Sequence, residues 1–90
     1  MATHTIKILP EYFAPTSAGK KAFELRKNDR DYKEGDKLIM QEWNGTEYTG
    51  RVIHAYITYI FNEGKFGLAE GYCALGTRII DIINPKKEKK

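Results

Sequence analysis

At 90 residues the chain makes one small domain with a modest core. Apolar residues form 41% of it, as in a soluble globular protein, and no run approaches the roughly 18 apolar residues of a membrane-spanning helix. The formal charge of +3 sits entirely in Lys86-Lys87-Glu88-Lys89-Lys90, because residues 1–85 hold 11 basic and 11 acidic side chains. A globally basic, polyanion-steering body is thereby excluded, and any affinity for phosphates must come from a local patch.

Residues 1–5 lack the basic segment and apolar run of a signal peptide. Cys73 is the sole cysteine, which rules out an internal disulfide and fits a reducing cytoplasm. It lies in an apolar run, so a buried thiol is expected.

The first strand is predicted over residues 5–9. Pro10 suits the first position of a helix and Glu11 its positive end, while Gly19 suits the helix stop. Pro15 removes one helical hydrogen bond, so one turn, a kink and a second turn through Ala18 are expected. Residues 22–27 form the second strand, residues 28–31 a turn and residues 37–43 a third strand. Asn44-Gly45 marks a tight turn before a long strand over 48–61. A glycine-containing loop spans 62–71, and strands over 72–76 and 77–83 follow. Pro85 closes the domain (residues 1–85), and residues 86–90 form a disordered basic tail.

Five to six short strands, one or two short helices and many turns make a mostly β (α+β) fold, a small closed or nearly closed barrel. Its expected interior is Phe23, Leu25, Leu38, Met40, Ile53, Ile57, Leu75 and Ile79.

Alternation along the second strand sends Phe23 and Leu25 to one face and Glu24 and Arg26 to the other. With Lys21 just before them, Glu24 and Arg26 make a compact polar cluster on a rigid element. Arg26 offers a planar fork suited to a phosphate or a base edge, Glu24 accepts from an amino group or holds Arg26, and Lys21 is a mobile point charge. The following turn, Lys27-Asn28-Asp29-Arg30-Asp31-Tyr32, supplies a possible rim. There Lys27 and Arg30 face phosphates, Tyr32 stacks a base, and Asn28 and Asp29 bond nearby backbone or orient Arg30. The basic residues from Lys20 to Lys37 outnumber the acidic ones by only two. His4 and His54 show no metal-ligand spacing, so neither a metal nor a cofactor is expected.

Gly19, Lys21, Glu24 and Arg26 match the pattern Gly-x-Lys-x-x-Glu-x-Arg, which resembles the ASCH family of the PUA-like barrels. The wider stretches Ile6–Phe13, Phe23–Arg30, Gly35-Asp36, Glu42-Trp43 and Tyr48–Arg51 resemble one subfamily of short phage and bacterial proteins bearing an ASCH-like domain of unknown function. The resemblance extends to about Gly76. It implies a PUA-like barrel whose motif, here Lys21, Glu24 and Arg26, lines a cleft, and a non-catalytic module recognising RNA or a nucleotide-like small molecule there. The rim residues Lys27, Asn28, Asp29, Arg30 and Tyr32, read from their own chemistry, complete the expected ligand-binding set. The alternative it implies is a small amidohydrolase acting on an acetylated cytidine-type nucleoside. That chemistry uses the motif lysine, matched by Lys21, but its threonine position is Glu24 here and the expected nucleophile is missing. Binding without catalysis is therefore the expectation, with neither membrane nor metal involved.

Overall fold

A computed structural model describes residues 1–62 and 66–84 of the chain. In order, these form β1 (Thr3–Ile8), α1 (Pro10–Ser17), β2 (Phe23–Lys27), β3 (Lys37–Trp43), β4 (Tyr48–Asn62) and β5 (Tyr72–Ile83). The basic tail predicted at 86–90 lies outside the described residues.

The five strands make a single half-barrel sheet in the order β1-β3-β4-β5-β2. β1 runs parallel to β3, and the remaining pairs are antiparallel. β1 and β2 are therefore the two edges, and the space between them is the seam of the barrel. Three register shifts, after Gln41, His54 and Ile57, bend the sheet. Such bulges sharpen local twist and let long strands curl round a core.

Period-two burial builds that core. β3 alternates without a break, with Leu38, Met40 and Glu42 turned inward. Ile6 and Ile8 from β1, Ile53, Ala55 and Ile57 from β4, and Cys73 and Leu75 from β5 meet them, and Phe13 of α1 closes one end. Ile79 packs against this cluster from its margin.

Several expectations need correction. Phe23 and Leu25 are not interior: they remain 46% and 59% exposed, while Glu24 between them is buried. The reason is register. Glu24 lies opposite Leu75, and Arg26 opposite Cys73, so the inward face of β5 carries the charged side of β2 inward with it. The two strands expected at 72–76 and 77–83 are one continuous β5. The helix is likewise unbroken, with Pro15 inside it. A proline in the last turn removes only one bond, and the C-terminus is well finished. Lys20 N donates to Pro15 O and Gly19 N to Thr16 O, the paired closure of a Schellman motif, with Gly19 at φ 81°.

Asp36 ties the N-terminal strand to the start of β3. Its carboxylate accepts from Ala2 N at 3.0 Å, His4 Nε2 at 2.8 Å and Lys33 N at 3.1 Å. A carboxylate can only accept, so Nε2 carries the imidazole proton. The hydrogen bond from His4, ahead of those from the two backbone N–H groups, holds the Asp36 carboxyl below its ordinary range against the opposing effect of burial. A depressed folded value means that this stabilisation is present above the unfolded carboxyl pKa and is lost as pH falls through the folded one. Asp36→Ala is expected to lower the Tm at pH 7 by roughly 5–15 °C. The gap to the wild type should narrow below about pH 4, and melts across that range check both statements.

Among the described residues no helix is long and apolar enough to cross a membrane, and no group of three or more His, Cys, Asp and Glu side chains is placed to hold a metal ion.

Candidate functional site

A concavity of about 510 Å³ lies at the seam between β1, β2 and the start of α1. Its rim is apolar: Leu9, Tyr12, Phe23 and Leu25, each between 43% and 59% exposed. Its polar part is Lys21, Glu24 and Arg26, with Lys7 entering from β1. The strand inversion explains this composition. Phe23 and Leu25 become the walls of a pocket instead of the core, and the charged face of β2 becomes its floor.

Glu24 is the centre of that floor. Its side chain is 6% exposed. Lys21 Nζ donates to Oε2 at 2.9 Å and to the Phe23 carbonyl at 2.8 Å. Arg26 Nε and Nη2 both donate to Oε1 at 3.3 Å. Burial of a carboxylate is tolerable only when its oxygens are so occupied. The Lys21 ammonium also lies 5.0 Å above the Phe23 ring centroid and 5.6 Å from that of Tyr12, within cation–π range. Cation and aromatic walls thus form one surface.

Arg26 lines the pocket and Arg30 only the groove beside it, and both also tie the seam. Arg26 Nη2 donates to the Lys7 carbonyl, and Arg30 Nη1 donates to the Thr5 carbonyl at 2.8 Å. Both carbonyls belong to edge strand β1. Two guanidinium groups therefore bridge the seam where strand pairing between β1 and β2 would have closed the barrel, and they satisfy edge groups that otherwise invite pairing with another chain.

The remaining predicted site residues are placed differently. Lys27, the last residue of β2, and Asn28 and Asp29 in the turn that follows are all exposed and line neither this pocket nor the groove beside it. Asn28 N donates to the Gly71 carbonyl, and Asp29 N to that of Lys27. Tyr32 is 6% exposed and belongs to the core, its ring 4.7 Å from that of His4 in an edge-on contact. Burial pushes its phenol above the ordinary value, and a ring so enclosed presents no face for stacking.

Sequence reasoning missed Lys7 and Tyr12. It also missed a second buried cluster. Glu42, 2% exposed, accepts from Thr49 Oγ1 at 2.6 Å and, through both oxygens, from Arg51 Nε and Nη2 at 2.7 Å each. The Arg51 guanidinium carbon sits 4.3 Å from the Phe13 ring centroid. Hydrogen bonding to Glu42 holds the Arg51 pKa above its usual value. The signal was present in the period of β3, where Glu42 falls on the face of Leu38 and Met40. This pair joins β3, β4 and α1, and its chemistry is that of a structural clamp.

Residues 3–77 match the model of a family described as a domain of unknown function. The chain is also 46% identical over 55 residues to an uncharacterised 12.9 kDa protein in the GpA 3′ region of Escherichia phage P2. That match takes in 61% of the chain and 50% of the phage protein, so the chain spans about half the length of this relative. The family match begins at the first residue of β1 and runs one residue past Gly76, the partner of Phe23 in the β2–β5 pairing, so it encloses both edges of the seam and the whole pocket. The chain belongs to the DUF3850 family.

Proposed function

We propose that the protein is a non-catalytic binding module that takes RNA or a nucleotide-like ligand into the pocket beside β2, and that its domain is a branch of the ASCH group of PUA-like barrels. One observation carries this reading: the pocket combines exposed aromatic and apolar walls with a polar floor of two cations and one carboxylate. A flat heterocycle suits the walls at Tyr12 and Phe23. A phosphate or base edge suits the donors of Lys21 and Arg26, and Glu24 accepts from an exocyclic amino group. The volume falls within the ordinary range for small-ligand sites. The motif Gly19, Lys21, Glu24, Arg26 supports the family assignment.

The contact between Lys21 Nζ and Glu24 at 2.9 Å favours the amidohydrolase as a second reading, since a paired amine and carboxylate can shuttle a proton. In that reading Lys21 and Glu24 act on an acetylated cytidine-type nucleoside. Binding is preferred because Glu24 stands where the nucleophilic threonine of that chemistry would be.

Titration with nucleoside monophosphates and short oligoribonucleotides, followed by NMR shifts, tests both. Shifts are expected at Tyr12, Lys21 and residues 23–26. Lys21→Ala should weaken binding by roughly tenfold to a hundredfold, the scale of one charged hydrogen bond. Absence of binding to every probe would sink the module reading. Release of acetate from an acetylated cytidine, abolished in Lys21→Ala, would replace it with the enzyme.

A further inference from the structure

A second groove of about 350 Å³ adjoins the pocket, and Lys7 and Arg26 line both. Arg30, Gln41 and Tyr48 form its far side. Tyr48 is 48% exposed and is braced edge-on by Trp43, with centroids 4.9 Å apart. Lys7 Nζ lies 4.2 Å from the Trp43 centroid and 6.0 Å from that of Tyr48. Aromatic surfaces therefore stand at both ends, Tyr12 with Phe23 at one and Tyr48 at the other, and Lys7, Arg26 and Arg30 lie between them.

Charge separates this surface from the rest of the domain. The two concavities together carry Lys7, Lys21, Arg26 and Arg30 against Glu24 alone, an excess of three positive charges in a body of residues 1–85 that is neutral. The Thr5 carbonyl engages Arg30 through Nη1, and no described residue accepts from its Nε or Nη2. A guanidinium fork with open donors beside an exposed tyrosine is suited to a phosphate next to a stacked base.

Building on the binding reading above, we infer that the ligand is a single-stranded nucleic acid that crosses the seam, with one base in the pocket at Tyr12 and Phe23, another on Tyr48, and the connecting phosphates over Lys7 and Arg30. A lone nucleotide would fill only half of this surface. Aromatic platforms joined by a cationic track bind single strands with little regard to sequence and with marked salt dependence.

The full chain is titrated with uridine monophosphate, a tetra-uridylate and an acidic peptide of equal charge, for the wild type, Tyr48→Ala and Arg30→Gln. The wild type is expected to bind the tetranucleotide at least tenfold more tightly than the mononucleotide. Tyr48→Ala should cut that gain about fivefold or more while the mononucleotide affinity stays within about twofold. Arg30→Gln should lower the salt slope for the tetranucleotide by about 0.7. The basic tail contributes equally to all three proteins, so differences between them report the groove. Melting curves of each variant establish that it is folded. Equal affinity for one and four nucleotides, or a gain untouched by both substitutions, would overturn the seam-crossing ligand and leave the pocket reading standing. Preference for the acidic peptide would assign the groove to a protein partner and overturn the inference. Failure of every nucleotide probe would overturn both readings.

Discussion

Arg51→Ala is expected to produce the largest loss of stability of any single substitution considered for this domain. It leaves the Glu42 carboxylate, 2% exposed, without its bidentate partner, and it removes the guanidinium packed over Phe13. Breaking a buried pair from one side costs about 3–5 kcal/mol, because a charge stays in a low-dielectric site. Small domains hold only about 5–15 kcal/mol in total, so the Tm should fall by on the order of 15–30 °C. Thr49 retains its hydrogen bond to Glu42 and softens the loss. The double variant Glu42→Gln with Arg51→Ala should recover a substantial part of it, because the stranded charge is gone. Thermal melts of the three proteins measure this. A Tm for Arg51→Ala within about 3 °C of the wild type would show that water screens the pair, as the 34% exposure of the Arg51 side chain permits.

Arg26→Ala is expected to act twice, on ligand binding and on the seam. On sequence alone, Arg26 belongs to the polar face of a short strand, and its removal would cost at most about 1 kcal/mol of stability. The structure raises that figure. Arg26 neutralises a carboxylate that is 6% exposed and also donates to a carbonyl of edge strand β1. Its own side chain is 28% exposed, and Lys21 remains on Glu24, so the loss should be about 1–2 kcal/mol, or roughly 5–10 °C. Ligand affinity should fall by tenfold to a hundredfold, the loss of a charged hydrogen bond of about 1.5–3 kcal/mol. Melting and titration of one variant separate the two terms. A collapse in Tm with unchanged affinity for the folded fraction would make Arg26 a seam residue alone.

The pocket owes its character to an inversion that no local rule indicates. Most strands alternate apolar inside and polar outside, and Phe23 with Leu25 fits that pattern as well as any pair in the chain. Two facts turn it round. Pairing with β5 places Glu24 beside Leu75, and the seam lets Lys21 and Arg26 reach the carboxylate from either side. A charged residue can then face inward because it is paired, while aromatic residues remain at the surface as pocket walls. Exposed aromatic and aliphatic side chains gathered round such a cleft are the usual mark of a binding surface.

Much of the fold was legible in the sequence because it rests on local physics. The period-two pattern of residues 37–43 determined β3 residue for residue. The Asn44-Gly45 turn, the length of β4 and the stop at Gly19 each follow from backbone preferences that need no distant partner. Leu38, Met40, Ile53, Ile57 and Leu75 were recognisable as core for the same reason. The motif at Lys21, Glu24 and Arg26 also marked out the residues that the fold gathers on the floor of the seam pocket. Only the tertiary structure decided which face of β2 is the inner one, that Tyr32 is enclosed beside His4, and that Glu42 and Arg51 meet. It alone decided that Lys7 and Arg30, 23 positions apart in the chain, stand over one groove. Alternation divides a strand into two faces, but the sign of each face is set by the partner strand. Contacts across the seam join segments distant in the chain, and no periodicity within either segment records them.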